Sequence, residues 1–164
     1  MNLDDRQTWA LLRQLDDPDH MEFPRDYDHV ATRAKFEWLV SLLDERFRCA
    51  CDVDRHIQDA SHHGTIVIPQ SVTDSAEHIS VTVSNFGDLA TVALGVPGSH
   101  DADEERELFR ATDRERVEEA LETLGYVTVP QHLLWTRYDG VSELASYYPP
   151  EYPPTWRTRF FQHL

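Results

Sequence analysis

Lysine is nearly missing from this sequence. Lys35 is the only one, and the other 14 basic residues are arginine, a usage that points to a GC-rich bacterial coding sequence. Cysteine is almost as scarce. Cys49 and Cys51 are too few for a disulfide framework, and at i, i+2 on an extended strand their Cβ atoms sit too far apart for an unstrained bridge. Free thiols in a reducing compartment are therefore expected. No apolar run approaches the roughly 20 residues that span a bilayer. The opening Met1-Asn2-Leu3-Asp4-Asp5 has neither the basic nor the apolar region of a secretory leader. The expectation is a soluble, cytoplasmic chain with no membrane partner.

The short signatures of hydrolytic chemistry are also lacking. There is no Gly-x-Ser-x-Gly elbow, no His-Glu-x-x-His pair and no papain-like cysteine motif. Gly95-Val96-Pro97-Gly98-Ser99-His100 lies between a predicted strand and a helix start, where phosphate-binding loops occur. Asp101, Asp103, Glu104 and Glu105 follow at once, so carboxylates already answer the helix dipole and would repel a phosphate. No cofactor is expected.

What the chain has in excess is negative charge: 30 acidic residues against 15 basic, a net −15. That balance argues against nucleic acid as a partner and favours a basic protein. The acids are clustered, with 8 in residues 1–28 and 10 in 99–125, against only 3 in 126–164. At 164 residues the chain suits one α+β domain spanning 1–164.

The stretch from Gly64 to Leu94 organises the fold. Ile79, Val81 and Val83 alternate with Ser80, Thr82 and Ser84 at the period of a strand with one dry and one wet face. Asn85-Phe86-Gly87-Asp88 predicts a hairpin turn into a second strand over Leu89 to Leu94, and Thr65 to Ile68 predicts a third. With Cys49 to Val53 and Tyr126 to Val129 this makes an antiparallel meander of about four to five strands.

Helices are predicted before, after and at the end of the sheet. Asp4 with Gln7, and Thr112 with Glu115, have the spacing of capping boxes. From His29 to Phe47 two apolar stripes run side by side: Phe36, Val40, Leu43 and Phe47, then Ala31, Ala34, Trp38 and Leu42. A face that wide predicts burial against both sheet and helix. Residues 146–154 are too rich in proline and tyrosine for a regular element and are expected to form an extended strap. A C-terminal helix over 155–164 is expected to follow, capped by Thr155, with Trp156, Phe160 and Leu164 in line.

Two constellations carry chemistry. Cys49, Cys51, His56, His62 and His63 offer thiolate and imidazole ligands of the kind zinc takes, although their spacing matches no knuckle or helix-borne site; buried strand thiols beside a polar loop are the plainer account. The acids Asp101, Asp103, Glu104, Glu105 and Glu107 could meet a basic partner or merely stabilise a helix start. Tyr147, Tyr148 and Tyr152, among 8 of the chain's 17 aromatics that lie beyond residue 134, could anchor an interface or pack inward.

In size, charge and layout the chain is similar to small acidic immunity proteins that neutralise bacterial toxins. That similarity implies a non-enzymatic inhibitor of a basic partner such as a nuclease toxin. The alternatives are a metal-dependent hydrolase built on the Cys49 to His63 window, and an adaptor or scaffold.

Overall fold

The computed structural model describes residues 3–55 and 60–163. Five strands form one sheet: β1 (Asp52–Asp54), β2 (His62–Ile68), β3 (Ile79–Ser84), β4 (Leu89–Leu94) and β5 (Val127–Thr128), adjacent in that order. The first four pair antiparallel, as the alternation predicts, but β5 runs parallel to β4. The reason is its connection. The chain leaves β4 and crosses back through α3 (Ala102–Leu108) and α4 (Ala111–Thr123), so it re-enters the sheet in the same sense. The fold is α+β. Among the described residues no helix is long and apolar enough to cross a membrane.

The β3–β4 turn forms at Gly87 and Asp88, with φ of 54° and 56°, and the Leu89 N–H donates to the Phe86 carbonyl at 3.0 Å. Two consecutive left-handed residues match the right-handed twist of the flanking strands.

One face of the sheet packs against α2 (His29–Phe47) and α4. Ile66, Ile68, Ile79, Val81, Val83, Ala90 and Leu94 meet Phe36, Leu39, Val40 and Leu43 from α2 and Val117 and Leu121 from α4. The stripe of Phe36, Val40, Leu43 and Phe47 is buried as predicted. Of the adjacent stripe only Leu42 packs, half-buried, against that core. Ala31 and Ala34 are exposed and Trp38 is 68% exposed, because sheet and α4 together fill only one side of α2.

The opposite face corrects the expectation of a wet surface. Ser80, Thr82 and Ser84 are buried, because the C-terminal segment lies across them. The Ser84 hydroxyl donates to the Phe160 carbonyl at 2.8 Å, Ser80 to the Gly95 carbonyl at 2.9 Å, and Thr91 to the Val129 carbonyl at 3.2 Å. Buried hydroxyls with partners carry little penalty. A second apolar cluster forms there from Leu12 of α1 (Asp5–Leu15), Phe86, Leu89, Trp156, Phe160 and Phe161. Each fully buried phenylalanine contributes about 2 kcal/mol.

A buried ion pair fixes that segment. Arg159 Nε donates to Asp16 Oδ1 at 2.8 Å, and its terminal nitrogens donate to the carbonyls of Asp17, His20 and Met21 at 2.9–3.1 Å. Asp16 Oδ2 accepts from the Tyr138 hydroxyl and the Val141 N–H.

The predicted C-terminal helix is shorter than 155–164. Residues 156–162 are helical, with π-type bonding over Thr158–Gln162, and Leu164 lies outside the described residues. Thr155 does hold its start, accepting from the Thr158 N–H at 3.4 Å. The strap over 146–154 is not extended throughout. It begins inside a 3-10 turn, Leu144–Tyr147, and folds again where the Tyr152 N–H donates to the Pro149 carbonyl at 3.0 Å, with Pro150 in the turn position its fixed φ suits.

Candidate functional site

Local bonding sets the position of α3. Asp101 accepts from the Glu104 N–H at 2.8 Å while Glu104 accepts from the Asp101 N–H at 3.2 Å, a reciprocal cap that starts the helix immediately after the Gly95–His100 loop. Gly95 and Gly98 take φ of 70° and 88°, bending that loop back, and a Cβ on Gly98 would stand 3.3 Å from the Trp135 ring. His100 Nε2 meets Glu77 at 2.9 Å, and the ion pair raises the imidazole's pKa above its ordinary value.

The start of α4 departs from the Thr112–Glu115 capping box. The helix begins two residues earlier, at Ala111 after Arg110 as N-cap, and Asp113 is fully buried, accepting from the N–H groups of Asp74 and Ser75 at 3.0 and 2.7 Å. The Ser75 hydroxyl in turn accepts from the Arg110 N–H at 2.9 Å. A loop distant in sequence caps the helix, and Thr112 is used to bind Asp74 at 2.7 Å.

Between α3, α4, β5 and α5 (Gln131–Leu134) lies a groove of about 520 Å³. Asp101 and Glu105 line it from α3, Arg114, Glu118 and Glu122 from α4, and Tyr126, His132 and Trp135 from its floor and mouth. Glu105 is half-buried, with Oε2 at 3.4 Å from the Leu94 N–H. Loss of water raises its carboxyl above the usual carboxylate range, more than the nearby Arg114 and His100 lower it. Glu118 is exposed; its carboxyl is raised by the same desolvation, against which Arg114 also acts. Asp101 is held low by the helix-start hydrogen bonds, first that from Glu104.

The half-buried Glu105 with the exposed Glu118 across the groove makes a receptor for a cation, whose N–H donors their oxygens accept. The rings at the groove already carry cations of the chain itself, Arg157 at 5.5 Å from the Trp135 centroid and Lys35 at 4.4 Å from that of Tyr126.

The acids predicted from sequence divide between two surfaces. Asp101 and Glu105 line the groove, whereas Asp103, Glu104 and Glu107 are exposed, with Asp103 paired to Arg106 at 3.2 Å. The tyrosines lie elsewhere. Tyr147 and Tyr148 pack near His163, whose backbone N–H donates to the Ser61 hydroxyl. That is the Ser84 end of β3, while α3 adjoins the Leu94 end of β4, which pairs with Ile79. Six residues of strand, about 17 Å, separate the two. Tyr147 and Tyr152 are 60% and 76% exposed, and Tyr148 is half-buried in the second cluster. Sequence reasoning left out Glu118 and Glu122, although their i, i+4 spacing on a capped helix was available as a signal.

The cysteine–histidine window is also divided. Cys49 and Cys51 are not strand residues. Arg48 closes α2 in the left-handed conformation, φ 52°, and both cysteines lie in the turn before β1, beside Asp44. His62 and His63 begin β2, whose Val67 pairs with Asp52, so roughly five residues of strand, about 16 Å, separate them from the thiols. Burial lowers the pKa of both histidines. His63 instead packs on Phe36 and lies 3.5 Å from the Tyr27 hydroxyl. His56 lies outside the described residues.

No family model, curated protein or solved structure matches the chain.

Proposed function

We propose that this chain is a non-enzymatic acidic binding protein whose α3–α4 groove receives an arginine- or lysine-bearing segment of a basic protein. The observation that carries this reading is Glu105, a carboxylate half-removed from water in a cavity with further acids on both walls and no bonded cation of its own among the described residues. Desolvation of such a group is offset when a guanidinium or ammonium enters, which favours a cationic occupant over a neutral one. Surface acids such as Asp103 and Glu107 would speed the encounter, and the groove would supply the contacts that slow dissociation.

Among basic partners, a nuclease-type toxin domain fits best, since a surface built to grip phosphate is cationic where an inhibitor must cover it. In that role the protein would act in the cytoplasm, at one copy per toxin. Tyr147 and Tyr152 lie outside the groove and are not used. The test is the association rate of the chain with the basic protein that copurifies with it from its host, followed as salt is raised. Steering by carboxylates requires a rate that falls steeply with ionic strength, and a salt-insensitive rate counts against the reading.

A further inference from the structure

Asp44, Cys49 and Cys51 each place one ligand atom within 4.8 Å of the other two, and all three residues are half-buried. The arrangement is built rather than incidental. Asp44 lies in the last turn but one of α2, its carbonyl accepts from the Cys49 N–H at 3.0 Å, and its Oδ1 accepts from the Cys51 N–H at 2.8 Å. The left-handed Arg48 turns the chain so that both thiols return to that carboxylate.

The sulfur–sulfur separation is 3.8 Å. A disulfide would bring the sulfurs to about 2.05 Å. Two thiolates on a tetrahedral zinc, each about 2.3 Å from the metal, sit about 3.8 Å apart. Thiolate donors exclude the hard cations magnesium and calcium, which take oxygen, and a carboxylate beside them suits zinc.

We infer that Asp44, Cys49 and Cys51 form a zinc site, supplying its three ligands among the described residues. The chemistry of the ligands suits zinc, and the S···S distance, which is also that of a thiol–thiol hydrogen bond, already matches the edge of the tetrahedron. The Asp44 oxygen lies within 4.8 Å of both sulfurs, against about 3.6 Å for the sulfur–oxygen edge of such a tetrahedron. Zinc there would tie the C-terminal turn of α2 to the entry of β1, so its binding would register as folding stability. His62 and His63 of the same sequence window take no part, being about 16 Å along the strand, and the site is independent of the α3–α4 groove.

The test uses the full chain under reducing conditions. Zn²⁺ is titrated against a chromophoric chelator, and Co²⁺ is added separately as a spectroscopic substitute. One zinc per chain is expected. Cobalt should give a thiolate-to-metal charge-transfer band together with the intense visible bands of a tetrahedral centre. Cys49→Ser/Cys51→Ser should weaken zinc binding at least about 100-fold and abolish the charge-transfer band. Asp44→Asn keeps an acceptor for the Cys51 N–H and so preserves the turn; it should weaken zinc about tenfold or more. Zinc should raise the melting temperature of the wild type and not of the double cysteine variant. A cobalt spectrum without the thiolate band, or zinc affinity unchanged in the double variant, overturns the assignment by placing the metal on surface histidines.

Discussion

Replacing Asp16 with asparagine should destabilise the protein far more than a surface ion pair would. Asp16 and Arg159 are both fully buried, with side chains 1% and 0% exposed, and meet at 2.8 Å. Asparagine keeps the volume, so no cavity forms, but its NH2 must face either Arg159 Nε–H or the Tyr138 hydroxyl and Val141 N–H, so an acceptor is lost together with the charge. Breaking a buried pair from one side costs about 3–5 kcal/mol, because the remaining ion stays uncompensated. Here the guanidinium keeps three carbonyl acceptors, from Asp17, His20 and Met21, which places the expected loss near the lower end, about 3 kcal/mol. For a chain of this size that lowers Tm by about 6–12 °C. Urea unfolding at neutral pH, monitored by tryptophan fluorescence, reads the difference directly, since Trp156 packs in the same cluster. The double variant Asp16→Leu/Arg159→Met should be less destabilised than the sum of its single changes. A loss under about 1 kcal/mol for Asp16→Asn, the value of an exposed pair, would refute the role given to this contact in anchoring the C-terminal segment.

Two further changes test the scaffold around the groove and the hairpin. His100 has its pKa raised by Glu77, so the pair's stabilisation is complete below the imidazole's unfolded value of about 6.5 and is lost as pH rises through the higher folded value. Glu77→Gln should therefore lower the urea midpoint at about pH 5.5, with the gap from wild type closing by about pH 9; a gap independent of pH would contradict the ion pair. Gly87→Ala places a Cβ at φ 54° and against the Leu15 side chain. It should cost about 1–2 kcal/mol by chemical denaturation, whereas a neutral or stabilising result would mean that the turn relaxes to a right-handed form.

The parts of the fold that were legible are those set by residues close together in sequence. Ile79, Val81 and Val83 announce β3 through their period, Asp4 with Gln7 announces α1, and Asn85 to Asp88 announces the turn. The misreadings arise where a distant segment decides. Ser80, Thr82 and Ser84 look solvent-facing until Phe160 and its neighbours, some 76 residues on, cover them. Thr112 gives up its expected cap because the Asp74–Ser75 loop engages both its hydroxyl and the neighbouring Asp113. The parallel sense of β5 depends on the route through α3 and α4, which no two-residue strand encodes. At the groove, the acidity of α3 was visible from Asp101 to Glu107. Its second wall was not, because Glu118 and Glu122 come into register with Glu105 only once β5 draws α4 against the sheet.

The most direct test of the groove as a binding site compares two charge-matched variants against the same basic partner. Glu105→Gln/Glu118→Gln removes two carboxylates from the groove; Asp19→Asn/Glu45→Gln removes two exposed ones from outside it. Equilibrium affinity should fall at least about tenfold in the first, roughly 1.4 kcal/mol, and stay within about twofold of wild type in the second. Equal losses in both would show that net charge alone does the binding, and would contradict a built site between α3 and α4.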